Sequence, residues 1–115
     1  MVEKRNLKRR AFSYYMQAVD EKTQKTLGYL ADISPRGFRL DCKQSLPPDQ
    51  DYQLRLDLTS DVADKPFMVI VARTKWCRID VLDPFVFNIG FQVVNMGPED
   101  AAIFQRIVEK YGTGQ

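Results

Sequence analysis

Apolar and polar residues alternate at every second position along most of this chain, and that period restricts the fold more than any other feature. Residues 52–58 are the clearest case, because each even position is apolar and each odd position between them is polar. Successive side chains of a strand point to opposite faces of a sheet, so this alternation predicts strands with one buried face. The same period recurs in residues 12–18, 38–42 and 85–93. The chain is therefore predicted to be mainly β.

Two further apolar runs complete a set of six predicted strands. Residues 27–31 follow a polar break at 19–22, so the first two strands are expected to form a hairpin. Residues 67–81 are apolar at first and mixed later, as expected of a strand that bends across a barrel and changes its exposure. A turn is predicted at 83–84, and Gly90, inside the sixth strand, indicates a bulge or a close approach by another group.

One helix is predicted at the end of the chain. Gly97 can act as the N-terminal cap, Pro98 fits the first helical position, and two acidic residues follow in the first turn. Apolar residues recur at helical spacing up to position 111, and Gly112 ends the pattern, which gives a helix over residues 98–111. Six strands and one terminal helix predict a small antiparallel β-barrel capped by the helix, with an open sheet as the alternative.

The length and the residue types limit the chemistry available to the chain. Its 115 residues predict one domain, here assigned to residues 11–115, after a separate arm over residues 1–10. The sequence contains no His and only two Cys, so neither a hydrolytic triad nor a structural zinc site is expected. An enzyme is disfavoured, and no metal or cofactor is expected.

The apolar content and the cysteines indicate a protein of the cytoplasm. The longest apolar run, residues 67–72, is far shorter than the roughly 20 residues that a membrane span needs, and no secretory signal pattern is present. Cys42 and Cys77 are 35 positions apart without a CxxC motif, so two reduced, packed thiols are favoured over a disulfide. The alternation in 38–42 places Cys42 in the core.

The arm is strongly basic, whereas the rest of the chain is mildly acidic. Residues 1–10 carry five Lys and Arg against Glu3 alone, a formal charge of +4, while the whole chain has a net charge of +2. The remaining residues therefore carry a net charge of −2. A basic arm on an acidic body indicates an anionic partner, such as a nucleotide, a nucleic acid or a lipid head group, with a solvated tail as the alternative.

Two short motifs carry the predicted binding chemistry. Arg5 and Arg9 form an RxxxR pattern in the arm, and each guanidinium can donate bidentately to a phosphate or to the O6/N7 edge of guanine. Asp32, Ser34 and Gly37 form a DxSxxG pattern between the second and third predicted strands. Asp32 can accept from the N1 and N2 donors of guanine, Ser34 can donate or accept beside it, and Gly37 permits a positive φ or a close ligand approach. Taken singly, the first motif is more often a solvated patch and the second an ordinary strand connection.

Together and in this order, the two motifs resemble those of the PilZ domain family, bacterial receptors for cyclic di-GMP. Residues 88–94 and 98–100 are similar to the family's last strand and helix, and the resemblance covers about residues 4–111. It implies a six-stranded barrel that holds cyclic di-GMP with the DxSxxG motif while a flexible arm folds over the ligand. It also implies that Arg10 can stack on a second base, and that Lys4 influences whether one ligand or a stacked pair binds. The expected ligand-binding residues are Arg5, Arg9, Arg10, Asp32, Ser34 and Gly37.

Three functions remain open at this point. The resemblance favours a non-catalytic receptor in which cyclic di-GMP orders the arm and changes the surface offered to a downstream protein partner. The first alternative is a PilZ-like module that contacts only proteins. The second is a small barrel that binds single-stranded RNA or DNA, against which the net charge of −2 outside the arm argues.

Overall fold

The fold consists of six strands followed by one helix, as the residue pattern predicts. The computed structural model describes residues 16–112. Among these residues, no helix is both long enough and apolar enough to cross a membrane. The elements are β1 (Gln17–Asp20), β2 (Thr26–Ser34), β3 (Gly37–Cys42), β4 (Asp51–Asp57), β5 (Phe67–Ile79), β6 (Phe87–Asn95) and α1 (Pro98–Tyr111).

The six strands form a closed barrel in which neighbouring strands are antiparallel. The strand order is β1-β2-β3-β6-β5-β4, and β4 pairs with β1 to close the sheet. This order confirms the predicted barrel and excludes the open sheet. The β5–β6 hairpin is longer than its neighbouring strands. The pairing of β4 with β5 stops at Arg73, and the pairing of β3 with β6 stops at Phe87, where the loop of the hairpin ends and β6 begins.

Inward-facing apolar side chains fill the barrel, and α1 covers one end of it. Leu40 of β3 and Ile89 of β6 lie opposite each other and are completely buried. The ring of Phe38 stacks on Phe91 with 5.2 Å between centroids and meets the edge of Phe104 from α1 at 6.5 Å. The helix therefore packs at the end of the barrel where β2 turns into β3. Its buried residues are Ile103, Phe104 and Ile107.

Both cysteines are free thiols. Cys42 is 3% exposed and belongs to the core, as the alternation in β3 predicts. Burial, with smaller contributions from Asp41 and Cys77, raises the pKa of the Cys42 thiol to about 12. Because the thiolate is the reactive form, Cys42 acts near neutral pH as a packed apolar residue.

The first strand differs from its predicted position. Residues 12–15 lie outside the described residues, and β1 continues through Val19 to Asp20, which the sequence pattern assigned to a polar break. Val19 pairs with both β2 and β4, so backbone hydrogen bonds on two sides keep this segment extended. A bulge between Ala18 and Val19 buries both side chains and breaks the alternation on which the prediction rested.

The connection between β5 and β6 is longer than predicted. As expected, β5 is a long strand whose exposure changes along its length, and two bulges interrupt its pairing with β6. It ends at Ile79, however, and β6 begins only at Phe87. The backbone N–H of Asp80 donates to the carbonyl of Val86 over 2.8 Å, which closes the loop between the strands. Phe85, predicted to face the core, lies in this loop and is 79% exposed.

Candidate ligand-binding site

The DxSxxG motif forms the tight turn between β2 and β3. Ser34 pairs with Gly37, and the Ser34 hydroxyl donates to the Gly37 carbonyl over 3.4 Å. Asp32 lies two residues earlier on β2, where one carboxylate oxygen accepts from the Ile33 N–H at 2.9 Å. All three motif residues are half-buried, so the turn is anchored on the barrel while its polar groups remain accessible.

Gly37 is required by the packing of two strands rather than by its dihedral angle. No glycine among residues 16–112 has a positive φ, so the first of the two possibilities raised for Gly37 is excluded. A Cβ at Gly37 would instead overlap the carbonyl oxygen of Phe91 on β6. The absent side chain therefore allows β3 and β6 to approach closely directly beside the motif.

A row of side chains crosses the barrel wall next to the turn. Asp32 of β2 lies opposite Arg39 of β3, Arg39 lies opposite Gly90 of β6, and Gly90 lies opposite Trp76 of β5. The indole of Trp76 lies over Gly90, since a Cβ added there would overlap the ring. This is the close approach that Gly90 predicts. Trp76 remains 41% exposed, so part of its ring faces solvent.

The row and the turn together line a groove with a cavity volume of about 380 Å³. Its charged residues are Arg36, Arg39 and Lys75 against Asp32 alone, so this stretch of an otherwise acidic body is positive. A positive wall beside a carboxylate suits a ligand that carries both anionic groups and hydrogen-bond donors. Within residues 16–112, no cluster of three or more acidic or cysteine side chains is arranged to hold a metal ion.

Arg39 has hydrogen-bonding capacity that the described part of the domain leaves unused. Its Nε is buried without a hydrogen-bond partner there, and the nearest carboxylate oxygen, from Asp41, lies 3.6 Å away. That distance fits an ion pair but not a hydrogen bond. Trp76 is held by the guanidinium of Arg78, which lies 4.7 Å from its ring centroid. The groove thus combines a guanidinium whose Nε has no hydrogen-bond partner among residues 16–112 with an indole that contacts a second guanidinium.

The structure brings together the predicted residues of the DxSxxG motif and adds others. Arg5, Arg9 and Arg10 lie outside the described residues. Neither Arg39 nor Trp76 is among the site residues expected from the sequence, because their alignment depends on which residues pair across three strands. The only sequence signal was Gly90 inside an apolar strand, and its partner becomes visible only with the strand register.

The closed barrel places the chain among small antiparallel β-barrel domains, and comparison with known proteins narrows this class. The profile of the PilZ domain matches residues 3–110, so the chain belongs to the PilZ domain family, as its motifs indicate. Among solved structures, the fold is similar to the PilZ domain with c-di-GMP of YcgR from Escherichia coli. That match has a TM-score of 0.60 at 15% identity and covers 86% of this chain and 83% of that one. No curated protein matches the sequence.

Proposed function

We propose that this protein is a cytoplasmic bacterial receptor for cyclic di-GMP and that the groove at the β2–β3 turn is its binding site. The observation that carries the proposal is the position of the family's DxSxxG motif on the wall of a positive groove with an exposed indole. The similar PilZ domain of YcgR is described with c-di-GMP, which supports the choice of ligand. The proposal includes no catalytic step and no cofactor.

Each groove residue has a role that follows from its chemistry. The carboxylate of Asp32 accepts from the N1 and N2 donors of one guanine, and the Ser34 hydroxyl bonds beside it. Trp76 offers a stacking face for a purine, and the guanidinium of Arg39 adds positive charge to the same wall. Arg36 and Lys75 supply positive charge for the phosphates.

The arm completes the proposed site from the other side of the ligand. Arg5 and Arg9 bind phosphates and guanine edges, and Arg10 stacks on a second base. We expect the arm to become ordered when the ligand binds, which changes the surface presented to a downstream protein. Limited proteolysis with and without cyclic di-GMP measures this step, and equal cleavage within residues 4–10 in both states would remove arm ordering from the mechanism.

Isothermal titration of the full chain with cyclic di-GMP tests the site. Asp32→Asn keeps the shape of the side chain but loses the charged acceptor, so we expect affinity to fall by about ten- to over a hundredfold. The matched control is Asp64→Asn, because Asp64 is an exposed acid in the loop before β5. Its affinity should equal that of the wild type.

The same titration separates the alternatives. No binding at tens of micromolar cyclic di-GMP would leave the module that contacts only proteins as the better account. The alternative of a single-stranded nucleic-acid-binding barrel would be favoured if the protein bound an oligonucleotide with steep salt dependence and if Asp32→Asn did not affect that binding. An equal loss of cyclic di-GMP affinity in Asp64→Asn would mean that the loss in Asp32→Asn does not report a contact at Asp32, because removing a negative charge by itself favours binding of an anionic ligand.

A further inference from the structure

The loop of the β5–β6 hairpin exposes an unusual number of apolar side chains. Ile79 is 57% exposed, Val81 71% and Phe85 79%, and Leu82 lies beside them at 40%. The loop extends beyond the end of β3, so these residues form a protruding tip, defined here as residues 79–86. Exposed apolar clusters on small soluble domains mark interaction sites more often than scattered single residues do.

The tip is held in one conformation by buried polar contacts. Asp80 is only 4% exposed, and one of its carboxylate oxygens accepts from the N–H groups of Leu82 at 2.9 Å and Asp83 at 3.0 Å. Its other oxygen accepts from the Asn88 side chain at 3.0 Å. Asp83 in turn accepts from the N–H of Phe85 at 2.9 Å. Because the backbone is fixed in this way, little conformational entropy is lost when the tip binds.

A concave apolar surface lies at the same end of the barrel. This mouth has a cavity volume of about 640 Å³, larger than the groove at the motif, and lies at the opposite end of the β2–β3 ribbon. Val86 lines it, so the mouth begins at the base of the tip. The volume is ample for one or two apolar side chains of a partner. The other apolar lining residues are Leu27, Tyr29, Cys42, Leu46 and Tyr52.

The charges of the tip and the mouth are complementary. Lys25 and Lys43 lie on the mouth, are exposed, and make no ion pair with residues 16–112. The acids that share the mouth are engaged within the domain, because Asp20 accepts from the Lys22 N–H at 3.0 Å and Asp41 accepts from Asn88 at 2.8 Å. The tip carries an exposed acid, Asp83.

We propose that two copies of this chain form a two-fold dimer in which the tip of each copy occupies the mouth of the other. A tip and a mouth that adjoin at one end of the molecule are self-complementary under a two-fold axis, and each contact then occurs twice. Asp83 of one copy faces Lys25 and Lys43 of the other.

A contact between the two tips alone is a poorer arrangement. It would bring Asp83 against Asp83 and would leave both mouths empty. It would also involve only the few side chains of each tip, whereas stable interfaces use about 20–30 residues on each side. The dimer proposal does not depend on the nucleotide proposal.

Sedimentation velocity of the full chain between about 1 and 200 µM tests the dimer. We expect a concentration-dependent dimer whose dissociation constant rises by at least about a hundredfold in Val81→Ser/Phe85→Ser, the tip variant. Val94→Ser is the control, because Val94 is 45% exposed but lies on β6 away from the loop. Its dissociation constant should not change. A wild type that stays monomeric, a tip variant that dimerises normally, or an equal loss in the control overturns the proposal.

Mixing two defective variants tests the reciprocal geometry. Lys25→Glu/Lys43→Glu, the mouth variant, keeps an intact tip, whereas the tip variant keeps an intact mouth. Each alone should be mainly monomeric, yet the mixture should form heterodimers through one intact tip-in-mouth contact. A mixture that associates no better than its components would show that the tips contact each other, or another surface, and would overturn the arrangement. Far-UV circular dichroism verifies that both variants are folded.

Discussion

The groove and the mouth lie at opposite ends of the β2–β3 ribbon and differ in chemistry. The groove has a volume of about 380 Å³ and a positive, polar wall, whereas the mouth has a volume of about 640 Å³ and a mainly apolar lining that includes two lysines. Both use the β5–β6 hairpin, since Trp76 lines the groove and Val86 lines the mouth. A strand pair that contributes one face to the core can therefore line two chemically different surfaces along its length.

The two surfaces also depend on different structural devices. The groove depends on the absence of two side chains, because Gly37 lets β3 and β6 approach each other and Gly90 lets the indole of Trp76 pack against the backbone of β6. The tip beside the mouth depends on a buried carboxylate, Asp80, that fixes the loop. Substitutions can therefore affect one surface and spare the other, which makes the comparison testable.

The largest expected effect concerns base selectivity at the groove. Adenine replaces the O6 acceptor of guanine with a donor and lacks the N2 amino group, so Asp32 would lose partners and arginine would meet a donor. With about 1–3 kcal/mol for each of two bases, cyclic di-AMP should bind about thirtyfold more weakly or worse. Calorimetry with both nucleotides measures the ratio.

A matched control assigns that selectivity to the groove. Phe85→Ser alters only the tip and should leave the ratio between the two nucleotides unchanged. Similar affinities of the wild type for both would mean that phosphate charge drives binding, and the base-reading roles of Asp32 and Ser34 would be withdrawn.

A smaller loss of affinity is expected from the arm. Arg5→Ala and Arg9→Ala each remove charge-assisted hydrogen bonds to the ligand, which costs about 1.5–3 kcal/mol, or about ten- to over a hundredfold in affinity. The melting temperature of the ligand-free protein should hardly change, because the arm is proposed not to be part of the core. Lys22→Ala, an exposed residue of the β1–β2 turn, serves as the control in both measurements. Intact affinity together with a melting temperature many degrees lower would make the arm structural.

Alanine variants of the two groove glycines, Gly37 and Gly90, should differ in whether they lower mainly the free energy of unfolding or mainly the affinity for cyclic di-GMP. In Gly37→Ala the new methyl meets the backbone of Phe91, so the strands must part, and we expect a loss of about 1–3 kcal/mol in urea unfolding. In Gly90→Ala the methyl meets the Trp76 indole, which can swing aside. Stability should fall less, while affinity should fall by about 1–3 kcal/mol because a stacking face is lost.

Gly97→Ala is the control for these two variants, because it measures the effect on stability of a Gly→Ala exchange without a steric clash. A Cβ at Gly97 has no atom within 4 Å, and exchanging the cap residue of α1 costs only about a few tenths of a kcal/mol to 1 kcal/mol. If Gly90→Ala proved as destabilising as Gly37→Ala without any change in affinity, Trp76 would be a packing residue, and its role in the groove would be wrong.

The barrel and the motif turn are predictable from the sequence because they depend on local signals. Alternation reports which face of a strand is buried, and the DxSxxG residues are adjacent along the chain. The row from Asp32 to Trp76 is different, since it depends on bulges between Leu30 and Asp32 and between Thr74 and Trp76. One bulge shifts the register by a residue and changes which side chains face each other, and no local pattern records that shift.

The tip is hidden from sequence analysis for a related reason. Phe85 has the correct spacing to continue the apolar alternation of β6, so periodicity assigns it to the core. Side-chain oxygens of Asp80 and Asp83 instead bind backbone N–H groups of the loop and end the ladder before Phe85. A pattern of residue types cannot distinguish an aspartate that faces solvent from one that stabilises a turn.

The smallest effect is expected from the tip in dilute solution. Val81→Ser/Phe85→Ser alters exposed side chains of a loop whose conformation depends on Asp80, so the free energy of unfolding should change by no more than about 0.5 kcal/mol. At high concentration the variants should diverge, because association stabilises the folded state by mass action. The melting temperature of the wild type should then rise with concentration while that of the tip variant stays constant. If the melting temperature stayed constant in both proteins across the concentration range of the sedimentation measurements, the tip would have no role in self-association. The groove would then be the one end of the barrel with a proposed binding function.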